Sequence, residues 1–164
     1  MLSQLLWASQ GLSHDLQHQP GRTAPSAGAL YPIESYVVVN QVYGLKAGVY
    51  HYQVPEHMLV LIREGDFGQA LAEAALGQTM IQNASCTFVW SAIAARSAWK
   101  YGERAFRYIY MDAGHIAQNL QLAAESCGLG LCPVAAFFDD EVNGILQLDG
   151  DHETVIYLAP LGKR

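Results

Sequence analysis

Arg104–Cys127 reads RAFRYIYMDAGHIAQNLQLAAESC. Its apolar residues fall at Ile109, Ala113, Ile116, Leu120, Ala123 and Cys127. Those steps of three and four lay them along one face of an α-helix. Gly128 follows and stops the helix. A helix with one apolar stripe needs a sheet or another helix to cover it, and the flanking sequence supplies strands. Ile33–Val39 is rich in β-branched and aromatic residues. Gly48–Tyr52 and Met58–Ile62 read as a hairpin around Val54-Pro55-Glu56-His57. Cys86–Ile93 reads as a buried central strand, and Thr154–Leu158 as a last one. Shorter helices are expected at residues 2–10, from an Asp66 cap to about Leu76, and from Asp139. His14 to Gly28, rich in Gln, Pro, Gly and Ser, reads as a loop. Strands, helices, a strand, a long helix and a final strand make an α+β fold, with an antiparallel or mixed sheet flanked by helices.

The totals agree with one compact domain of 164 residues. Hydrophobic residues make up 51% and charged residues 15%, with a mean hydropathy of +0.10. That is apolar for so small a body, so part of the surface is expected to meet a partner subunit. A net charge of -6 disfavours nucleic acid and anionic lipid as partners. No apolar run is long enough to span a bilayer, and the start lacks the marks of a signal peptide. Three cysteines, Cys86, Cys127 and Cys132, fit reduced thiols and a cytoplasmic location.

Five segments have the composition for chemistry. In Gly21–Pro32, Arg22 could pair with a phosphate or polarise a carbonyl. The small residues Pro25, Ser26, Ala27 and Gly28 would let a backbone approach a flat ligand, although a Pro-Ser turn in a solvent loop has the same composition. Gly128–Phe137 includes Pro133, Val134, Ala135 and Ala136 and carries almost no side-chain chemistry. It could press backbone N–H groups against a planar ring that gains charge on reduction, or simply cap the helix and enter the core. Lys100-Tyr101 could be an acid–base pair, or a surface lysine beside a packing tyrosine. Asp112, His115 and Asn119 share a helix face and suit a hydrogen-bonded network or a subunit contact. A metal site would need a further ligand that no spacing supplies, so none is expected. Lys163 and Arg164 could clamp a phosphate or belong to a frayed tail.

Taken in order, Arg22-x-x-Pro25-Ser26-Ala27-Gly28-Ala29-Leu30-Tyr31-Pro32, Gly48–Tyr52, Asp112-Ala113-Gly114-His115-x-x-Gln118-Asn119 and Gly128-Leu129-Gly130 resemble the SagB-type dehydrogenases, a branch of the nitroreductase-like flavoproteins. The likeness runs from about Leu2 to the end. It implies a nitroreductase-like fold, an intertwined homodimer, and two FMN sites built from both chains. By this resemblance Pro25, Ser26, Ala27 and Gly28 contact flavin from the partner subunit and Arg22 lies near it. Pro133, Val134, Ala135 and Ala136 line the ring, and Lys163 and Arg164 hold the phosphate. Lys100-Tyr101 resembles the pair implicated in azoline oxidation, where a proton leaves the ring while hydride goes to flavin.

Two departures stand out. The Arg-rich segment that usually grips the FMN phosphate would precede Met1, which leaves Arg22, Lys163 and Arg164 facing a dianionic group. The chain is also short for a peptide-modifying member. Three functions therefore stay open. They are an oxidase of an azoline-like small molecule or modified peptide, an NAD(P)H-dependent reductase of nitro compounds or quinones, and a flavin-free dimeric binding module.

Overall fold

The computed structural model describes the backbone of residues 1–16 and 19–163, and their side chains except at 14–16, 19 and 20. Helix α1 spans Leu2–Gln10, and a ribbon of β1 (Leu12–Leu16) and β2 (Gln19–Arg22) follows. Next come β3 (Ile33–Val39), β4 (Gly48–Gln53), β5 (Met58–Glu64), α2 (Gly68–Ala74), α3 (Thr79–Asn83) and β6 (Cys86–Ala92). The remainder is α4 (Ala95–Tyr101), α5 (Ala105–Ser126), β7 (Leu129–Leu131), α6 (Asp139–Leu146) and β8 (Thr154–Lys163).

Six strands form one sheet in the order β5-β4-β3-β6-β8-β7. Every pairing in it is antiparallel, so the sheet is the antiparallel member of the two expected. Strand β6 lies between β3 and β8, and all seven of its residues are buried. Both faces of the sheet are covered. Val37, Val39, Phe88 and Trp90 pack with Leu5 of α1 and with Ile109, Ile116 and Leu120 of α5. The alternate residues Val38 and Val89 pack with Leu71, Ile81, Val142 and Leu146 on the opposite side. This is the two-residue period of a strand, with apolar side chains on both faces because helices cover both.

Helix α5 follows its sequence period closely. Its buried residues are Ala105, Ile109, Asp112, Ala113, Ile116, Ala117, Leu120 and Ala124. A repeat of 3.6 carries the stripe forward, so Ala124 is buried in the last turn while Ala123 and Cys127 are half-buried. Gly128, at φ 71°, takes the left-handed position past the end.

Four expectations are corrected. The stretch from His14 was expected to be loop, yet the β1–β2 ribbon occupies most of it as far as Arg22; Gln17 and His18 lie outside the described residues. A two-stranded ribbon tolerates Pro20 and Gly21, which read as turn residues. The helix expected to reach Leu76 ends at Ala74, because Leu76 and Gly77 adopt φ of 60° and 76°. Asp66 does not provide a side-chain N-cap: its Oδ1 accepts the Gly68 N–H at 3.0 Å, while Phe67 holds the cap position. The last strand runs past Leu158 to Lys163, because Leu129–Leu131 supplies a partner there. Lys163 is therefore the end of a paired strand, not a frayed tail.

Candidate active site

The loop between β2 and β3 is strapped onto α5. Ser26 Oγ donates to Asp112 Oδ2 at 2.6 Å, and the Ala27 N–H donates to Asp112 Oδ1 at 3.3 Å. Two turns along the helix, Asn119 Nδ2 donates to the Thr23 carbonyl at 3.1 Å. The Asp112–Asn119 stripe is thus a hydrogen-bonded network, while His115 is exposed. Burial pushes the Asp112 carboxyl above its ordinary value, and the bonds from Ser26 and Ala27 offset part of that. The loop carries strain that these straps hold in place. Gly28 sits at φ 64°, and Ala29 and Tyr31, which have side chains, sit at φ 54° and 47°. Each of those two costs on the order of 1 kcal/mol against a relaxed backbone.

Gly28 is where the loop meets the candidate acid–base pair. A Cβ at Gly28 would lie 2.6 Å from Tyr101 Oη and 2.8 Å from Lys100 Nζ. Both groups, at the end of α4, therefore converge on the bare backbone of residue 28. Tyr101 is half-buried and packs edge-on against Tyr108 of α5, with ring centroids 4.8 Å apart. Lys100 is exposed, its ammonium 5.4 Å from the centre of the Tyr101 ring. Next to this patch, Pro25, Ser26, Ala27, Tyr108, Met111 and His115 border a cleft of about 250 Å³.

Pro133–Ala136 lies elsewhere, beside the β7–β8 edge. Val134 is buried and exchanges both backbone hydrogen bonds with Leu158, at 2.8 and 2.9 Å. Pro133, Ala135 and Ala136 are exposed, and the Ala136 carbonyl accepts from Gln78 Nε2 at 3.3 Å. Among the described residues no acceptor meets the N–H of Ala135 or Ala136. Lys163, paired with Leu129, projects from the same sheet edge and borders a cleft of about 330 Å³ with Gly130 and Cys132. Arg164 lies outside the described residues. Within one protomer the sequence-predicted residues thus form two groups. The Pro25–Gly28 loop joins Lys100 and Tyr101, and Pro133–Ala136 neighbours the strand that ends at Lys163. The cleft beside Pro25–Ala27 has no lining residue from Pro133–Ala136 or Lys163, and the cleft beside Lys163 has none from Pro25–Gly28, Lys100 or Tyr101.

Arg22 is not at the loop tip. Its Nη1 donates to Gln10 Oε1 at 2.5 Å, and its guanidinium lies over the Tyr31 ring, 4.5 Å from the centroid. Beside it is a cluster that sequence reading missed. Glu34 Oε1 accepts from Arg96 Nη1 at 2.5 Å, and Glu34 Oε2 lies 2.8 Å from His51 Nε2. Burial pushes the Glu34 carboxyl up, but the hydrogen bonds to His51 and Arg96 outweigh it and hold it below its ordinary value. The available signal was one carboxylate inside the otherwise uncharged strand Ile33–Val39. Among the described residues no cluster of three His, Cys, Asp or Glu side chains could hold a metal, and no helix is long and apolar enough to cross a membrane.

An antiparallel sheet with helices on both faces is a fold shared with known proteins. The nitroreductase family model matches residues 1–163, and the chain belongs to that family. A Methanocaldococcus jannaschii protein described as a nitroreductase is 40% identical over 163 residues, covering 99% of this chain and 79% of the relative. The crystal structure of an Anabaena variabilis protein, also described as a nitroreductase, superposes with a TM-score of 0.91 at 36% identity. It covers 98% of this chain, which spans only 34% of the Anabaena one. A chain of the E. coli microcin synthetase McbBCD complex, solved with truncated pro-MccB17 bound, superposes with a TM-score of 0.84 at 25% identity, covering 99% of this chain and 62% of that one. The chain is therefore an oxidoreductase-family protein, and flavin is the usual cofactor of this family.

Proposed function

We propose that the chain is an FMN-dependent oxidoreductase of the SagB type, a single domain over residues 1–164 working as a homodimer. In this reading it oxidises an azoline or related ring on a small molecule or modified peptide. The observation that carries the reading is the convergence of Lys100 Nζ and Tyr101 Oη on the bare backbone of Gly28. The residues fit a flat cofactor. A Cβ would fill the space at Gly28, and the exposed Ala135 and Ala136 offer free N–H donors to the polar edge of a ring. Pro25–Gly28 of one subunit and Pro133–Ala136 of the other would cover that ring, with Lys163 and Arg164 toward the phosphate and Arg22 behind the loop.

FMN held between Pro25–Gly28 and Pro133–Ala136 would supply a two-electron acceptor for the hydride of the substrate, with dioxygen as the final oxidant. Lys100 and Tyr101 take the proton that leaves the neighbouring ring atom, so the member of the pair that accepts it must be neutral Lys or tyrosinate at that moment. Asp112 acts on neither atom; it holds the loop that positions Gly28.

The second subunit is supported by the outer face of α5. Phe106, Tyr110, Met111 and Leu122 are 53%, 61%, 54% and 62% exposed, an apolar surface that favours a partner over water. At the middle of that face lies Gly114, with nothing beyond the local backbone of its own helix within 4 Å of where a Cβ would be. Glycine inside a helix costs about 1 kcal/mol relative to alanine. Nothing in one protomer requires it, whereas a closely crossing partner helix would. The free thiols Cys86, Cys127 and Cys132 suit a reducing compartment, in this reading the cytoplasm.

A second reading, reduction of nitro compounds or quinones with NAD(P)H, is favoured by the description of the M. jannaschii relative. Lys100→Ala and Tyr101→Phe separate the two. Turnover of a thiazoline should fall about a hundredfold or more with either change, whereas quinone reduction should keep most of its rate. Equal retention of both activities would remove the pair from the mechanism.

A further inference from the structure

Between the ribbon, the β3–β4 pair and α4 lies a cleft of about 480 Å³. That volume suits a small molecule. Its polar wall is Arg22, Glu34, His51 and Arg96, and Leu30, Tyr52 and Val54 contribute apolar surface. Two guanidiniums, Arg22 and Arg96, and two carboxylates, Glu34 and the exposed Glu56, line the cleft. Both Glu34 oxygens are engaged, one by Arg96 and one by His51. Among the described residues, the Arg22 guanidinium bonds the Gln10 amide and stacks on the Tyr31 ring, and it meets Glu34 only through space, without a hydrogen bond. Of the two guanidiniums, Arg96 holds a carboxylate by hydrogen bond and, among the described residues, Arg22 holds none. Burial lowers the Arg22 pKa by more than the attraction of Glu34 raises it, so the cation is compensated less than water would compensate it. A guanidinium has five N–H donors in a planar fork, and Gln10 uses one of them. The ligand group that completes such a fork is a carboxylate.

Two residues of the cleft wall sit close in sequence to the Lys-Tyr pair and the loop it meets. Leu30 lies two residues beyond Gly28, and Arg96 lies one helical turn before Lys100 on α4. We propose that this cleft is an acid-recognition subsite, in which Arg22 takes the carboxylate of the molecule whose ring is presented to Lys100 and Tyr101. The substrate class is then a ring that bears a carboxylate, as a free small acid or as the C-terminal residue of a peptide. The link to turnover rests on the oxidoreductase reading above; the binding of an acid in the cleft does not.

Isothermal titration calorimetry of the full chain, with and without added FMN, tests it. The probes are 2-methylthiazoline-4-carboxylate, uncharged 2-methylthiazoline, and a short thiazoline-ended peptide with a free or an amidated C-terminus. The inference expects a free carboxylate, in the small acid, the peptide or both, to strengthen binding tenfold or more over its uncharged counterpart. Whichever acid binds identifies the source. Arg22→Gln should erase that preference, and Arg22→Lys should keep part of it. Because Arg22 also packs against Tyr31, Gln53→Glu provides the independent variant. It places a negative charge in the cleft wall without touching Arg22, and should weaken the acids while leaving the uncharged probes unchanged. Acids and uncharged probes binding alike, or acids binding undiminished to Gln53→Glu, would overturn the inference. Acid preference without any FMN binding would uphold the subsite and sink the flavin reading. FMN binding without acid preference would do the reverse.

Discussion

Gly114→Ala separates what one protomer needs from what a pair needs. In the isolated chain the position is open, with no atom beyond the local backbone of its own helix within 4 Å of the added methyl. Replacing a mid-helix glycine with alanine should therefore stabilise the folded protomer by about 1 kcal/mol. In a dimer whose partner helix crosses at Gly114, the same methyl meets packed atoms. Overpacking costs about 1–3 kcal/mol per site, hence about 2–6 kcal/mol over two subunits. At 1.4 kcal/mol per tenfold, the dimer Kd should rise by roughly 30-fold or more. The helix-propensity gain is common to free and paired subunits and cancels from that Kd. Sedimentation across a concentration series gives the Kd. Thermal melting at the most dilute concentration gives the protomer effect. A variant that melts higher and pairs as tightly as the parent would refute the placement of Gly114 at an interface, as would a parent protein that stays monomeric.

Four further outcomes follow from the loop and the cleft. Gly28→Ala must hold a left-handed backbone and push against Tyr101 Oη and Lys100 Nζ; it should cost about 1–2 kcal/mol in a melt and lower kcat more than FMN affinity. Asp112→Ala leaves the Ser26 hydroxyl and Ala27 N–H without their acceptor, a loss of about 1–3 kcal/mol in denaturant titration. The folded-state pKa of Asp112 is raised, so its ionisation opposes folding. The parent should lose stability relative to Asp112→Asn as pH climbs above the ordinary value of 3.8 through the raised one, and a flat difference across that range would contradict this. Glu34 behaves oppositely. Its folded-state pKa is lowered, so its contribution is present above about 4.5 and lost as pH falls through the depressed value. The stability difference between the parent and Glu34→Gln, measured by urea titration, should therefore shrink with acidification.

Much of this architecture is legible in the sequence because it is local. The stripe from Ile109 to Leu120 fixes a helix, and β-branched residues at Val37–Val39 fix a strand between two packed layers. Leu129–Leu131 is a strand only because the far end of β8 pairs with it, a partner more than twenty residues away that no local pattern announces. The ribbon near Pro20 and Gly21 is hidden for a related reason, since both residues favour turns. At the site, composition marks the Pro25–Gly28 loop and the Lys100-Tyr101 dipeptide separately. Their meeting at one point depends on α4 and α5 folding back over the loop, which is tertiary information. The Asp112–Asn119 stripe indicated a network but not what it would hold. The neighbours of Arg22 in sequence suggest a cofactor contact, and its neighbours in space, Gln10, Tyr31 and the Glu34 cluster, are tertiary information.

In this proposal two copies of the chain complete one flavin site. It is tested most directly by titrating the purified chain with FMN, reading visible absorbance and molar mass on the same eluting peak. The account predicts a yellow species at twice the 17.9 kDa chain mass, with FMN and chains in equal number. A colourless peak at the mass of one chain, unchanged by excess FMN, would contradict it.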